Sequence, residues 1–220
     1  MMAGENARIL SDGRILEQSS GPEAMGTVFK IHAKDGKTFV ESAVIDSDYD
    51  FSGAYDMDSE PLALVQGTKL VLEGRSMAGM SPVLVCLNAD ATLDSTFGVG
   101  GFFLVPEAEE GETYDFMDLK ISLLSDGKLL ATGIKVMSAD GESALVVRLT
   151  ADGKFDTTFG VDGVLSSDPG MGGVDFRVLS NGSIVLVDGS PEGSSVTLYN
   201  ANGKLDMNFG SDPAGADSLV

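Results

Sequence analysis

The chain has no tryptophan, one cysteine, one histidine and only 14 Lys and Arg against 34 Asp and Glu, for a net charge of −20. Each shortage excludes something. One cysteine, Cys86, rules out an intramolecular disulfide. It stands in an apolar run with no neighbouring base or cation in the sequence, so a reactive thiol is not expected. One histidine, His32, rules out a multi-His zinc site within one chain, and no G-x-S-x-G elbow accompanies it. Its place at a strand end makes it a structural residue. The missing tryptophan weakens the case for a stacking platform for sugars. The shortage of basic residues excludes nucleic-acid binding and disfavours anionic membranes. No apolar run approaches the roughly 20 residues of a membrane span, so no membrane insertion is expected.

Helical periodicity is lacking too, because Gly, Asp, Asn and Ser interrupt the apolar runs too often. The 220 residues are 43% hydrophobic, enough for a packed core, and 28 are glycine, enough for many tight turns.

What fills the chain is repetition. Asp12-Gly13-Arg14-Ile15 returns as Gly67-Thr68-Lys69-Leu70, Asp126-Gly127-Lys128-Leu129 and Asn181-Gly182-Ser183-Ile184, at steps of 55, 59 and 55 residues. A second signature reads Leu149-Thr150-Ala151-Asp152-Gly153-Lys154-Phe155-Asp156-Thr157-Thr158-Phe159-Gly160. It has counterparts at 87–98 and 199–210, and a truncated one at His32-Ala33-Lys34-Asp35-Gly36-Lys37. A period of that size belongs to propellers, solenoids or arrays. Each unit reads as three or four short antiparallel strands. In the third, 120–124 and 128–132 flank an Asp-Gly turn, 143–149 is a strand apolar on both faces, and 163–166 is a short outer strand. The unit boundaries fall near 5–58, 59–117, 118–174 and 175–220, within one repeat domain. Asp156 and Thr157 are expected to hold their own turn, and Phe97, Phe159 and Phe209 to plug the gaps between neighbouring sheets.

Both signatures resemble the bacterial delta-60 repeat. The resemblance runs over nearly the whole chain and weakens after Lys37. It implies an all-β, propeller-like array in bacterial proteins that are often secreted or surface-exposed; the family has no settled activity, so it carries over no catalytic residues. The start, Met1-Met2-Ala3-Gly4-Glu5-Asn6, has no signal-peptide pattern. The chain could close alone as a four-bladed ring, pair as a homodimer into a larger ring, or form an open array.

Two acidic stretches interrupt the pattern. Asp46, Asp48, Asp50, Asp56 and Asp58 alternate with small and aromatic residues, as in a loop that wraps oxygens around Ca²⁺. From Asp48 the frame opens like an EF-hand loop, but Glu60 falls at the thirteenth position, and the competing reading is a solvated acidic linker. The second stretch, Pro106 to Asp115, is a loop insertion. Two function classes follow: a non-enzymatic binding or scaffold module with a protein or glycan partner, and a Ca²⁺-dependent hydrolase or lyase. They differ in whether the recurring Asp side chains converge on a common point or are satisfied by their own turns.

Overall fold

The computed structural model describes residues 6–20, 26–42, 44–45, 48–51, 63–77, 81–105, 113–115, 119–139, 141–167, 175–190 and 193–210. Among these there are seventeen strands in four antiparallel sheets and no helix. The first sheet is a meander of β1 (Asn6–Ile9), β2 (Ile15–Ser20), β3 (Thr27–His32) and β4 (Phe39–Glu41). The second holds β5 (Tyr49–Asp50), β6 (Ala63–Gln66), β7 (Lys69–Ser76), β8 (Pro82–Leu87) and β9 (Phe102–Leu104). The third holds β10 (Thr113–Asp115), β11 (Lys120–Leu123), β12 (Leu129–Ser138), β13 (Gly141–Leu149) and β14 (Val164–Ser166). The fourth is the three-stranded meander β15 (Asp175–Val178), β16 (Ile184–Ser190) and β17 (Gly193–Tyr199).

Two sheets have five strands where the sequence led us to expect three or four. In the second sheet one edge of β7 is shared in tandem: β6 pairs with its start, Gln66 opposite Lys69, and β5 with its end, Asp50 opposite Arg75. In the third, β11 and β10 share β12 in the same way, Asp115 standing opposite Lys135. The short strands β5 and β10 come from the two acidic stretches. Those stretches therefore supply edge pairing at the ends of the long central strands.

The turns follow the residues available. Gly13, Gly127 and Gly182 have φ of 85°, 84° and 82°, where a side chain would clash with the backbone. The second sheet closes differently. Gln66 pairs with Lys69 across only Gly67-Thr68, a two-residue hairpin with Gly67 at φ 63°.

By Cα proximity the chain divides into two compact units: Met1–Glu107 with Phe116–Ala131 and Leu149–Lys154, and Ala108–Asp115 with Thr132–Arg148 and Phe155–Val220. In the first unit, Leu16, Phe29 and Ile31 of the first sheet pack with Phe51, Leu70, Leu72, Val83, Val85 and Leu87. Every residue of β8 is buried, as expected of a central strand covered on both faces. Phe51 packs edge-on to Phe29, with ring centroids 5.4 Å apart. A Cβ at Gly74 would fall 2.4 Å from the Phe51 ring, so this strand position must be glycine. In the second unit the described core includes Ile134, Val146, Phe159, Leu165, Phe176, Ile184 and Leu186.

Candidate functional site

The two function classes differ in what the recurring aspartates do. Asp94 and Asp156 head the same turn. Asp94 Oδ1 accepts hydrogen bonds from Thr96 N and Oγ1 at 3.1 and 2.6 Å, and Asp156 Oδ1 accepts the same pair from Thr158 at the same distances. Asp206 Oδ1 accepts from Asn208 N at 3.0 Å. Each aspartate also places its own N–H on the carbonyl of a strand residue: Asp94 on Cys86, Asp156 on Arg148, Asp206 on Leu198. The capping side chain is the second residue after the aspartate, Thr158 rather than Thr157.

The remaining oxygens find different cations. Asp94 Oδ2 takes Lys69 Nζ at 2.5 Å, from across the sheet. That bond, followed by those from Thr96, holds the Asp94 carboxyl below its ordinary range, and the same contact raises Lys69. Asp156 Oδ2 takes Arg148 Nε at 2.8 Å, with both side chains buried. Arg148 reaches further. Its Nη2 donates to Thr158 Oγ1 at 3.1 Å, its Nη1 donates to the Ala201 carbonyl, and its guanidinium lies 4.6 Å from the Phe159 ring centroid. Arg148 thus joins the third signature to the turn of the fourth.

Cys86 stands where Arg148 stands in the next copy, and the structure corrects one expectation about it. A cation is near: Lys69 acts on the thiol electrostatically. Burial outweighs it, with the Asp94 carboxylate adding to the upward push, and the thiol rises to about 12. Cys86 is fully buried and protonated at neutral pH.

Successive signatures dock through a fixed joint. Gly98 N donates to the Asp152 carbonyl at 2.7 Å, and Gly160 N to the Asn202 carbonyl at 2.9 Å. Beside each bond the preceding phenylalanine covers a glycine. A Cβ at Gly153 would lie 2.7 Å from the Phe97 ring, and one at Gly203 would lie 3.0 Å from Phe159. Phe97 and Phe159 are fully buried, as plugs between sheets should be, but Phe209 is 47% exposed.

Of the five proposed calcium ligands, Asp46, Asp56 and Asp58 lie outside the described residues. Asp48 is exposed at the turn before β5, and its carbonyl accepts from Met77 N at 2.8 Å. Asp50 is engaged by Arg75, whose Nε and Nη2 both donate to Asp50 Oδ2, at 3.1 and 2.8 Å. Among the described residues no three His, Cys, Asp or Glu side chains gather as a metal site would require. His32 Nε2 meets Glu17 Oε2 at 2.7 Å, and its ring lies 5.3 Å from Phe39. The His32 contact, with Lys30 behind it, lowers the Glu17 carboxyl.

Sequence reasoning missed Glu73. It sits in β7 at 8% exposure, at the break between the stretches paired by β6 and β5, and burial raises its carboxyl to about 7. The signal available was its place two residues beyond Val71 in a strand.

The comparisons with known proteins bear on the fold. A family model matches. It is described as a β-propeller domain of unknown function (DUF5122) and covers residues 124–159. That stretch runs from the Asp-Gly turn before β12 to the buried Phe159, and so includes Arg148, Asp156 and their ion pair. No curated protein matches the chain. No helix among the described residues is long and apolar enough to cross a membrane.

Proposed function

We propose that the chain is a non-catalytic binding or scaffold module of a bacterial repeat protein. It is built from four delta-60-type units of about 55 residues and acts outside the cytoplasm, on a protein or glycan partner. The observation that carries this reading is the state of the recurring carboxylates. Asp94, Asp156 and Asp206 each turn an oxygen to a backbone N–H two residues on, and Asp94 and Asp156 give the other to a cation of their own unit. With both oxygens engaged, the carboxylates of Asp94 and Asp156 are poorly placed to activate water or hold a metal. The acidic surface, with a net charge of −20, suits a basic or cation-bridged partner.

The competing reading is a Ca²⁺-dependent hydrolase or lyase. A panel of ester, phosphoester and glycoside substrates, assayed with and without Ca²⁺, separates the two. The scaffold reading expects no turnover above background, and expects Asp94→Asn and Asp156→Asn to lower the melting temperature. Turnover that Asp94→Asn abolishes while the variant melts as the parent does would overturn it.

A further inference from the structure

Asparagine followed by glycine is chemically labile. Glycine has no side chain to hinder ring closure between its own amide nitrogen and the asparagine carboxamide. The dipeptide occurs twice, at Asn181-Gly182 and Asn202-Gly203. Both copies lie in the second compact unit, and both glycines sit in left-handed turns, at φ of 82° and 72°. The attacking nitrogens are held alike: Gly182 N donates to the Leu179 carbonyl and Gly203 N to the Asn200 carbonyl, each at 2.9 Å. Asn181 and Asn202 are both exposed, so access of hydroxide does not separate them.

The two sites differ in carboxamide and backbone. Asn181 Oδ1 accepts from Ser183 N at 3.0 Å, which folds the side chain back over the peptide bond that the ring must include. The same donor steadies the charge that grows on this oxygen as the nitrogen attacks. At the other turn the corresponding N–H, that of Lys204, goes to Asn200 Oδ1 at 3.1 Å. The Asn202 carbonyl accepts from Gly160 N at 2.9 Å, and Gly203 is buried beside Phe159. Ring closure swings the Asn-Gly peptide plane, so at 202 it must first break this joint. Gly182 is only half-buried.

We propose that Asn181 is a site of spontaneous deamidation in the folded chain, and that the joint at Gly160 protects Asn202. Hydroxide takes the Gly182 amide proton, and the nitrogen attacks Asn181 Cγ. The N–Cγ bond forms, the Cγ–Nδ2 bond breaks, and ammonia leaves with a proton taken from water. Water then opens the succinimide ring. Cleavage of the new N–Cγ bond gives aspartate. Cleavage of the original peptide bond gives isoaspartate, in which the chain runs through the side chain. The balance is asparagine plus water to a carboxylate plus ammonium, with no oxidant or cofactor. Aspartate would reproduce the Asp-Gly turns at 12–13 and 126–127. Isoaspartate would add a methylene to the hairpin backbone and disturb the pairing of Val178 with Ile184.

Incubation of the full chain in mildly alkaline buffer tests this, with fragmentation mass spectrometry locating the modified residue. In the folded chain Asn181 should convert at least ~5-fold faster than Asn202, the factor that one net hydrogen bond is worth. In concentrated urea the two rates should converge. Equal rates in the folded chain, or conversion of Asn202 first, overturn the proposal. So does an Asn181 that stays intact in the folded chain while converting in urea. Rates that differ as much in urea as in the folded chain would trace the difference to local sequence, and overturn it as well.

Discussion

Arg148 and Asp156 form an ion pair 2.8 Å long whose side chains are 6% and 5% exposed, between a strand and the turn that follows it. Removing one member leaves the other charge buried without its partner, which typically costs about 3–5 kcal/mol. Arg148→Leu, read by urea unfolding, should lie in that range. Leu198 holds the equivalent place beside Asp206, so the leucine itself suits the strand.

The matching pair in the second signature should matter less. Lys69 is 40% exposed, so its bond to Asp94 is partly screened by water. Lys69→Met should cost about 1 kcal/mol or less. Asp94 is depressed below 3.8, so its contribution is present above that value and lost as pH falls through the folded value. The difference between parent and Lys69→Met should therefore vanish in strong acid, as measured by unfolding at stepped pH.

Glu73 predicts the opposite slope. Its folded value of about 7 lies above its ordinary 4.5. Between those values the folded chain holds a proton that the unfolded chain has released, so stability falls as pH rises from about 4.5 and levels off above 7. The whole effect is bounded near ~3 kcal/mol. Glu73→Gln should be more stable than the parent at pH 8 and should flatten this part of the pH profile.

Phe97 and Phe209 are equivalent in sequence and unequal in burial, at 0% and 47% exposure. Phe97→Ala should cost about 3–5 kcal/mol. In dilute protein Phe209→Ala should cost under about 1 kcal/mol. Equal losses would show that exposure misjudges one of them.

Cys86 should be silent towards thiol reagents in the folded protein, being fully buried with its thiol at about 12. Labelling with a disulfide reagent should follow the unfolding equilibrium as denaturant is raised. Fast labelling of native protein would contradict the buried placement.

Much of the fold was legible because its turns need particular residues. Asp-Gly at 12–13 and 126–127 and Asn-Gly at 181–182 announced hairpins, and the glycines have the positive φ those turns require. Strand β13 was legible from the mostly apolar stretch 143–149, although it begins at Gly141. Strands β5 and β10 were not. They are two and three residues long and sit in acidic surroundings, held by β7 and β12 rather than by any pattern of their own. The cation partners were hidden for a related reason. Arg148 in place of Cys86 reads as loose variation until the strand and turn bring Asp156 beside it, and Lys69 lies 25 residues from Asp94. The exposure of Phe209 could not be read at all, since its sequence neighbourhood matches those of Phe97 and Phe159. Among the described residues, turns lie in front of Phe97 and Phe159, at Gly153 and Gly203.

The two Phe–Gly joints fall in different compact units, Gly98 with Asp152 in the first and Gly160 with Asn202 in the second. Their amide protons are thus chemically matched: same residue type, same acceptor type, φ of 53° and 52°. Exchanged into heavy water side by side, they act as a built-in pair of gauges, one per unit. Any difference between their rates measures how much more often one unit opens than the other, with local chemistry held constant.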